Sequence, residues 1–464
     1  MLPDDTLVDI FDFYRLDVMD PKDQSWPWHT LVHVCRRWRA IIFASPCLLD
    51  LRLLCQHGTP VRDGLGYWPP LPITLNYADD EPPTPQDEDD IVAALEQPDR
   101  VCRVELVAGA SLFKKLSALI HRPFPNLTHL RLWYTDVRIT VLTLTGEFLG
   151  GSASHLQSLT LCGIPFPAFP SVILSATNLV SLRLIEIPAI DGYILPEVMV
   201  TCLSVLTKLE QFSINFYFLN FARKTPLPLA RVILPSLTEF DFLGSSAYLD
   251  GLVAQIDTPL LNNLHATVFN QRSIEIPHLS QFILRTGGHP LPNKATMHAY
   301  GCTVSITLYQ SAAAGGDAHQ RQFQLSVSCE PVRWEVFCLA QLSSVFLFPL
   351  IAGIEELYIG PYLAWISWED DDGDLLDWLN ILRPFTSVES LYVSEMVGRQ
   401  FSLILEDVAK HMAVGGLVEE VLPALRVIQF ESSHMEAPIE EFVAIRQRSG
   451  NPITVHHRAS LRVP

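Results

Sequence analysis

One spacing constrains this chain more than any other feature: a triplet of apolar residues at relative positions 0, 3 and 5, repeated along most of its length. The copies are Val101/Val104/Leu106, Leu127/Leu130/Leu132, Leu156/Leu159/Leu161, Leu179/Leu182/Leu184, Leu209/Phe212/Ile214 and Leu237/Phe240/Phe242. Their starts lie 26, 29, 23, 30 and 28 residues apart. Further copies follow at Leu279/Phe282/Leu284, Ile354/Leu357/Ile359, Val388/Leu391/Val393 and Leu425/Ile428/Phe430. In each, the last two apolar residues fit the inward positions of a short strand at period two, and the first closes the turn before it.

A unit of this kind exposes apolar surface at both ends until neighbours stack on it. The spacing falls in or near the leucine-rich-repeat range. The expected fold is therefore a mixed α/β repeat, an irregular leucine-rich-repeat solenoid over 98–464, with an ordinary α/β core as the alternative. Residues 285–353 interrupt the pattern. There Thr303–Tyr309 and Gln322–Val327 alternate on either side of a small polar loop with Gly315 and Gly316, which predicts a β-hairpin at about 300–330.

The first 55 residues have another texture. Leu2-Pro3-Asp4-Asp5 reads as a helix start: proline presets φ, and acids suit the positive end of the helix dipole. Leu7, Ile10, Phe11 and Tyr14 then fall at helical spacing. A second helix is expected from Thr30 through Leu31, Val34, Cys35, Trp38, Ile41 and Ile42, ending at Ser45-Pro46. A piece this small cannot bury such stripes within itself. The leftover apolar face implies a partner or the rest of the chain.

The order of these words resembles the F-box: Leu2-Pro3, Leu7, Ile10-Phe11, Val34-Cys35-Arg36-Arg37-Trp38-Arg39, then Ser45-Pro46. More narrowly, Asp12-Phe13-Tyr14-Arg15-Leu16-Asp17, Trp28-His29-Thr30-Leu31-Val32-His33 and Trp68-Pro69-Pro70-Leu71-Pro72-Ile73 are similar to F-box proteins abundant in mushroom-forming fungi. The likeness covers roughly residues 1–75, interrupted by a polar, proline-containing insertion from Asp17 to Trp28. It implies docking on a Skp-type adaptor, and through it a cullin, within a cullin–RING ubiquitin ligase. The contacts it carries over are Leu2, Pro3, Leu7, Ile10, Phe11, Leu31, Val34 and Trp38. On that basis, changing Leu7 and Phe11 to aspartate is expected to abolish adaptor binding with the fold unchanged. Helices that merely cap the repeats are the alternative.

Charge and cysteine usage narrow the partners. The formal net charge is −19, with no Lys/Arg-rich run, so nucleic acid and anionic membrane are not expected. The start MLPDDTLVDIF puts acids where a secretory signal carries positive charge, and the nine cysteines form no CxxC. Reduced thiols and a cytoplasmic or nuclear location are expected. Val336–Ile354 carries no charge, yet it holds Gln341, Ser343, Ser344 and Pro349. It reads as a buried helix followed by a buried strand rather than a membrane span. The acids at 79–81 and 87–90, broken by Pro82, Pro83 and Pro85, read as a solvated loop within a linker at 56–97.

No residue set points to catalysis. There is no GxGxxG, P-loop or GxSxG. His29 and His33 are four apart, but Thr30 stands where a zinc protease needs glutamate. Asp370, Asp372 and Asp374 open like a calcium loop, which Leu375 and Ile381 then break. No cofactor, metal or enzymatic activity is expected. Trp365, Trp368 and Trp378 beside acids 369–372 could anchor a basic target, against the alternative that Trp378 packs inward from an amphipathic helix. The expected role is a substrate-recognition adaptor, with a non-catalytic repeat scaffold as the alternative.

Overall fold

The computed structural model describes residues 2–18, 28–45, 49, 51–59, 61–67, 69–78, 82–135, 144, 146–166, 169–188, 193–216, 231–269, 274, 276–286, 291–300, 303–310, 321–328, 335–343, 348–360, 378–413, 421–431 and 439–457. They fall into two compact units, Met1–Ile194 and Leu195–Pro464.

The first unit opens with α1 (Asp4–Val18), α2 (Trp28–Val32) and α3 (Arg36–Ala44). Strands β1 (Leu53–Cys55), β2 (Ile73–Tyr77), β3 (Val101–Ala108), β4 (His129–Tyr134), β5 (Ser158–Cys162) and β6 (Ser181–Ile187) follow. They pair in parallel in chain order. Helices α4 (Val61–Tyr67), α5 (Pro85–Leu95), α6 (Ala110–Leu119) and α7 (Phe169–Ile173) lie in the connections, with a 3-10 turn at Phe148–Gly151.

The triplets explain this sheet. Val104, Leu130, Leu159 and Leu182 are successive register partners, as are Leu106, Leu132, Leu161 and Leu184, and all are buried. The first apolar residue of each triplet, such as Leu127, Leu156 or Leu179, is buried in the turn. Between these rows the sheet residues are mostly polar and at least partly exposed. One face is thus a continuous apolar ladder and the other meets solvent, where an ordinary parallel sheet is covered on both sides. The ladder is reinforced where each strand begins. The Thr128 carbonyl accepts from the Gln157 and Ser158 amides at 2.8 and 3.0 Å, and the Gln157 carbonyl from Val180 and Ser181 at 2.7 and 3.0 Å.

The second unit repeats this plan with an insertion. After α8 (Pro196–Leu203) its strands are β7 (Gln211–Phe216), β8 (Val232–Ile233), β9 (Glu239–Gly244), β10 (Ile256–Asp257), β11 (Asn263–Phe269), β12 (Lys294–Tyr300), β13 (Thr303–Tyr309), β14 (Gln322–Ser328), β15 (Glu356–Ile359), β16 (Ser390–Val393), β17 (Val427–Phe430) and β18 (Thr454–His457). The spatial order is β7-β9-β11-β14-β13-β12-β15-β16-β17-β18, and β8 pairs with β10 apart from it. The hairpin of β13 and β14 forms as expected, but β12 joins it antiparallel and seats the trio within the sheet. Lying parallel to β11 and β15, its outer strands let the apolar ladder continue through the insertion.

Several readings of the sequence need correction. The triplet Leu279/Phe282/Leu284 lies on helix α9 (Pro277–Arg285), because apolar residues three apart also share a helix face. The strand of that repeat is β11, whose triplet Leu261/Leu264/Ala266 carries alanine at its last position. The second N-terminal helix is broken at 33–35, where Cys35 turns extended and its Sγ caps α3 by accepting from the Trp38 amide at 3.4 Å. Val336–Ile354 yields two short helices, Glu335–Gln341 and Phe348–Ile351, with the next strand beyond it at β15. Among the described residues no helix is long and apolar enough to cross a membrane.

The acidic stretch is the largest correction. Residues 82–95 are not a linker: α5 begins at Pro85 under a capping box between Thr84 and Asp87. Asp87 Oδ2 accepts from the Thr84 amide and hydroxyl at 3.0 and 2.6 Å and lies 3.2 Å from His57 Nδ1. Asp87 and Asp90 are buried while Ile91, Ala94 and Leu95 fill the core. The parallel sheet therefore begins at β1, at the end of the span read as N-terminal helices, and continues at β2 within the span read as linker. Burial pushes the Asp87 carboxyl up, but its bonds to Thr84, His57 and the Gly58 amide outweigh that and hold it below its ordinary value. A depressed carboxyl contributes stability above its unfolded pKa, about 4, and loses it as pH falls below. Thr84→Ala is expected to cost about 1 kcal/mol, read as faster amide hydrogen exchange in the first turn of α5. Unchanged exchange there would show that the cap is dispensable.

Candidate functional site

The N-terminal helices sort their apolar residues onto two faces. Leu7, at 5% exposure, and Phe11, at 2%, enter a cluster with Val32, Ile41, Ile42, Leu49, Leu51 and Leu71. Leu31 and Trp38 pack against it partly buried, and the Trp38 ring meets Phe11 edge-on at 4.9 Å. By contrast Leu2, Ile10, Phe13 and Val34 stand 51%, 45%, 71% and 59% exposed. Ile10 and Phe13 lie about 60° apart around α1 at 3.6 residues per turn, on the flank beside the buried stripe. Arg37 ties the elements together. Its Nη2 donates to the Leu2 carbonyl and to Asp4 Oδ1, both at 2.6 Å, which brings the Leu2-Pro3 end of α1 to the start of α3, three residues beyond Val34.

The carried-over contacts thus divide. Leu2, Pro3, Ile10 and Val34 lie on the surface; Leu7 and Phe11 are interior; Leu31 and Trp38 are between. The expectation that aspartate at Leu7 and Phe11 would spare the fold is corrected, since both side chains hold the helices together. Phe13 went unmarked in the sequence, although its i+3 relation to Ile10 was there to see.

The outward faces of the sheets are the other candidate surfaces. In the first unit Arg103, His129, Ser158 and Ser181 form one row, and Glu105, Arg131, Thr160 and Arg183 the next. Beyond them Trp133 and Ile185 flank the buried Cys162. Glu105 is clamped, 2.5 Å from Arg103 Nη2 and 4.0 Å from Arg131 Nη1. The Arg131 guanidinium lies 5.6 Å from the centre of the Trp133 ring. Burial first, then Arg103, hold the His129 imidazole below its ordinary value against the pull of Glu105, and Arg52 adds to the lowering.

In the second unit the outward face carries Asp241 paired with His265 at 3.2 Å, Lys294 with Glu356 at 2.9 Å, and Tyr358 stacked on Tyr392 at 4.3 Å. Trp365 and Trp368, with Asp370, Asp372 and Asp374, lie outside the described residues. Trp378 is buried and meets Phe401 edge-on at 5.5 Å, the inward packing expected of an amphipathic helix. Residues 378–382 are helical, with Leu379, Ile381 and Leu382 buried alongside.

Three buried thiols, Cys55, Cys162 and Cys202, are poorly set for nucleophilic chemistry. Burial, with Asp90 adding, pushes Cys55 up to about 12; burial, with Glu186 adding, does the same to Cys162; burial alone takes Cys202 to about 11. Among the described residues no group of three His, Cys, Asp or Glu is placed to hold a metal ion.

No family model matches the chain, and no curated protein matches it. Among solved structures it is similar to the TLR13 chain of a TLR13–ssRNA13 complex, with 13% identity over 87% of this chain and a TM-score of 0.33. The match covers 48% of that chain, so this protein spans about half its length. The description of the repeats rests on the register and burial given above.

Proposed function

We propose that this chain is a non-enzymatic adaptor that docks its N-terminal helices on a Skp-type subunit and offers its repeat sheets to a target protein. The observation that carries this reading is the exposure of four large apolar side chains, Leu2, Ile10, Phe13 and Val34, on the N-terminal helices and their ends. The inward residues of those helices are already covered by a cluster that Leu49, Leu51 and Leu71 complete. Large apolar side chains gathered on one surface beside a polar rim mark interaction sites in soluble proteins. The resemblance of residues 1–75 to the F-box names the partner, and through it a cullin and a RING ligase that perform the chemistry. The chain's own part is proximity and orientation.

The test follows from the division of faces. The double change Ile10→Asp and Phe13→Asp is expected to abolish co-purification with a Skp-type adaptor while leaving the thermal transition within a degree or two of the parent, since surface substitutions cost within about 0.5 kcal/mol. Undiminished pull-down by that folded variant would refute the docking face and favour a repeat scaffold with a helical cap.

A further inference from the structure

We infer that the outward sheet face of the first unit is a binding surface for an extended acidic peptide, its carboxylates held by Arg131 and Arg183 and an apolar neighbour laid against Trp133. This deepens the proposed function by giving the target a chemistry, and it rests on the reading that the repeat sheets face the target. The chain as a whole carries −19, so an acidic ligand would be repelled by a surface of average composition. The outward rows of β3 to β6 depart from that average: Arg103, Arg131 and Arg183 face outward, and Glu105, which pairs with Arg103 and Arg131, is the acid of the same two rows. Arg103 and Arg131 are more than two-fifths exposed, and Arg183 is exposed.

Two details turn the basic patch into a receptor for carboxylates. Glu105 sits between the guanidiniums of Arg103 and Arg131, which shows that a carboxylate fits among these side chains. Arginine suits this role, because its planar fork meets carboxylates with two parallel hydrogen bonds. Arg131 and Arg183 are register partners of Thr160 from opposite sides, which sets their backbones about 10 Å apart at ordinary strand spacing. The Thr160 hydroxyl lies in the row between them. The second detail is Trp133. Its ring lies beneath the Arg131 guanidinium, which limits the freedom lost when Arg131 takes a ligand, and it leaves a partly exposed apolar edge one row further. The complement is therefore a peptide with acidic and apolar residues at every second position, the set that one face of an extended strand presents.

The experiment is fluorescence anisotropy with the full chain and a short labelled peptide carrying glutamate and leucine by turns at every second position, with serine between them. Binding is expected, weakened by added salt. It should fall about tenfold or more when glutamine replaces glutamate, and by a similar factor in Arg131→Ala and in Arg183→Ala. Arg426→Ala, on the other unit, should leave it unchanged. Equal binding of the glutamine peptide, or undiminished affinity of an Arg131→Ala/Arg183→Ala double variant, would overturn the assignment. Tighter binding of a phosphoserine peptide or of a single-stranded oligonucleotide would overturn it in favour of phosphate. The Ile10→Asp/Phe13→Asp variant should bind the peptide normally, so loss of adaptor docking and loss of this surface are read separately.

Discussion

Phe11→Ala is expected to destabilise the N-terminal helices by about 3–5 kcal/mol, the cost of emptying an aromatic site in a packed core. Phe11 is buried against Trp38 and shares its cluster with Leu7, Val32, Ile42 and Leu71. The Arg37–Asp4 pair is largely exposed, a setting in which an ion pair contributes at most about 1 kcal/mol. The ring therefore provides much of what the cluster has, and its loss should free α1 rather than merely loosen it. Amide hydrogen exchange over 4–18 and 36–44 should approach the unprotected rate while β3 to β6 stay protected. Leu7→Asp should act in the same direction and more strongly, since it adds an unpaired buried charge to the lost packing. Protection unchanged in Phe11→Ala would mean that the helices are held by something other than this cluster. The contrast with Ile10→Asp/Phe13→Asp is the useful one: residues one and two positions away on the same helix should spare the fold and remove the partner.

The second large effect belongs to the sheet. Phe240→Ala should cost about 3–5 kcal/mol, concentrated on β7, β9 and β11. Phe240 is fully buried, stacks on Phe212 with ring centres 5.3 Å apart and planes at 17°, and is the register partner of both Phe212 and Leu264. In a fold whose units contact their neighbours alone, such a defect is felt locally and weakens the coupling between the repeats on either side. Urea unfolding should become broader or biphasic, with exchange in β7, β9 and β11 rising before that in β16 and β17. Ser213→Ala, one residue past Phe212 and on the outward face, should stay within about 0.5 kcal/mol. A single sharp transition with uniform loss of protection would show that the unit unfolds as one body.

The ladder of strands was legible because its signal is local. Leu130 and Leu132, or Leu391 and Val393, announce an inward face by period two alone, and the spacing of copies places the next strand. The misreadings came where two structures share a local signal. Leu279 and Phe282 satisfy the triplet and a helix face equally, and Ala266 is too small to register as the apolar residue of its strand. The acidic run from Asp87 to Asp90 looked solvated because composition cannot see a capping box or a histidine thirty residues away.

What the sequence determined by itself was the one-sided apolar repeat, the amphipathic character of the N-terminal helices and the absence of a recognisable catalytic motif. Each of these follows from side-chain periodicity, a property of neighbours in the chain. Tertiary structure alone decided which apolar residues of α1 are spent on the interior. Leu7, Ile10, Phe11 and Phe13 are equally oily, and the choice among them was made by where Val32, Ile42 and Leu71 arrive to cover one flank of the helix. The pairing of Arg131 with Trp133 and Glu105, and the alignment of Arg183 two strands away, likewise appear only when parallel register brings distant repeats side by side. Burial is a many-body outcome, and a linear pattern specifies the candidates for it without specifying the winners.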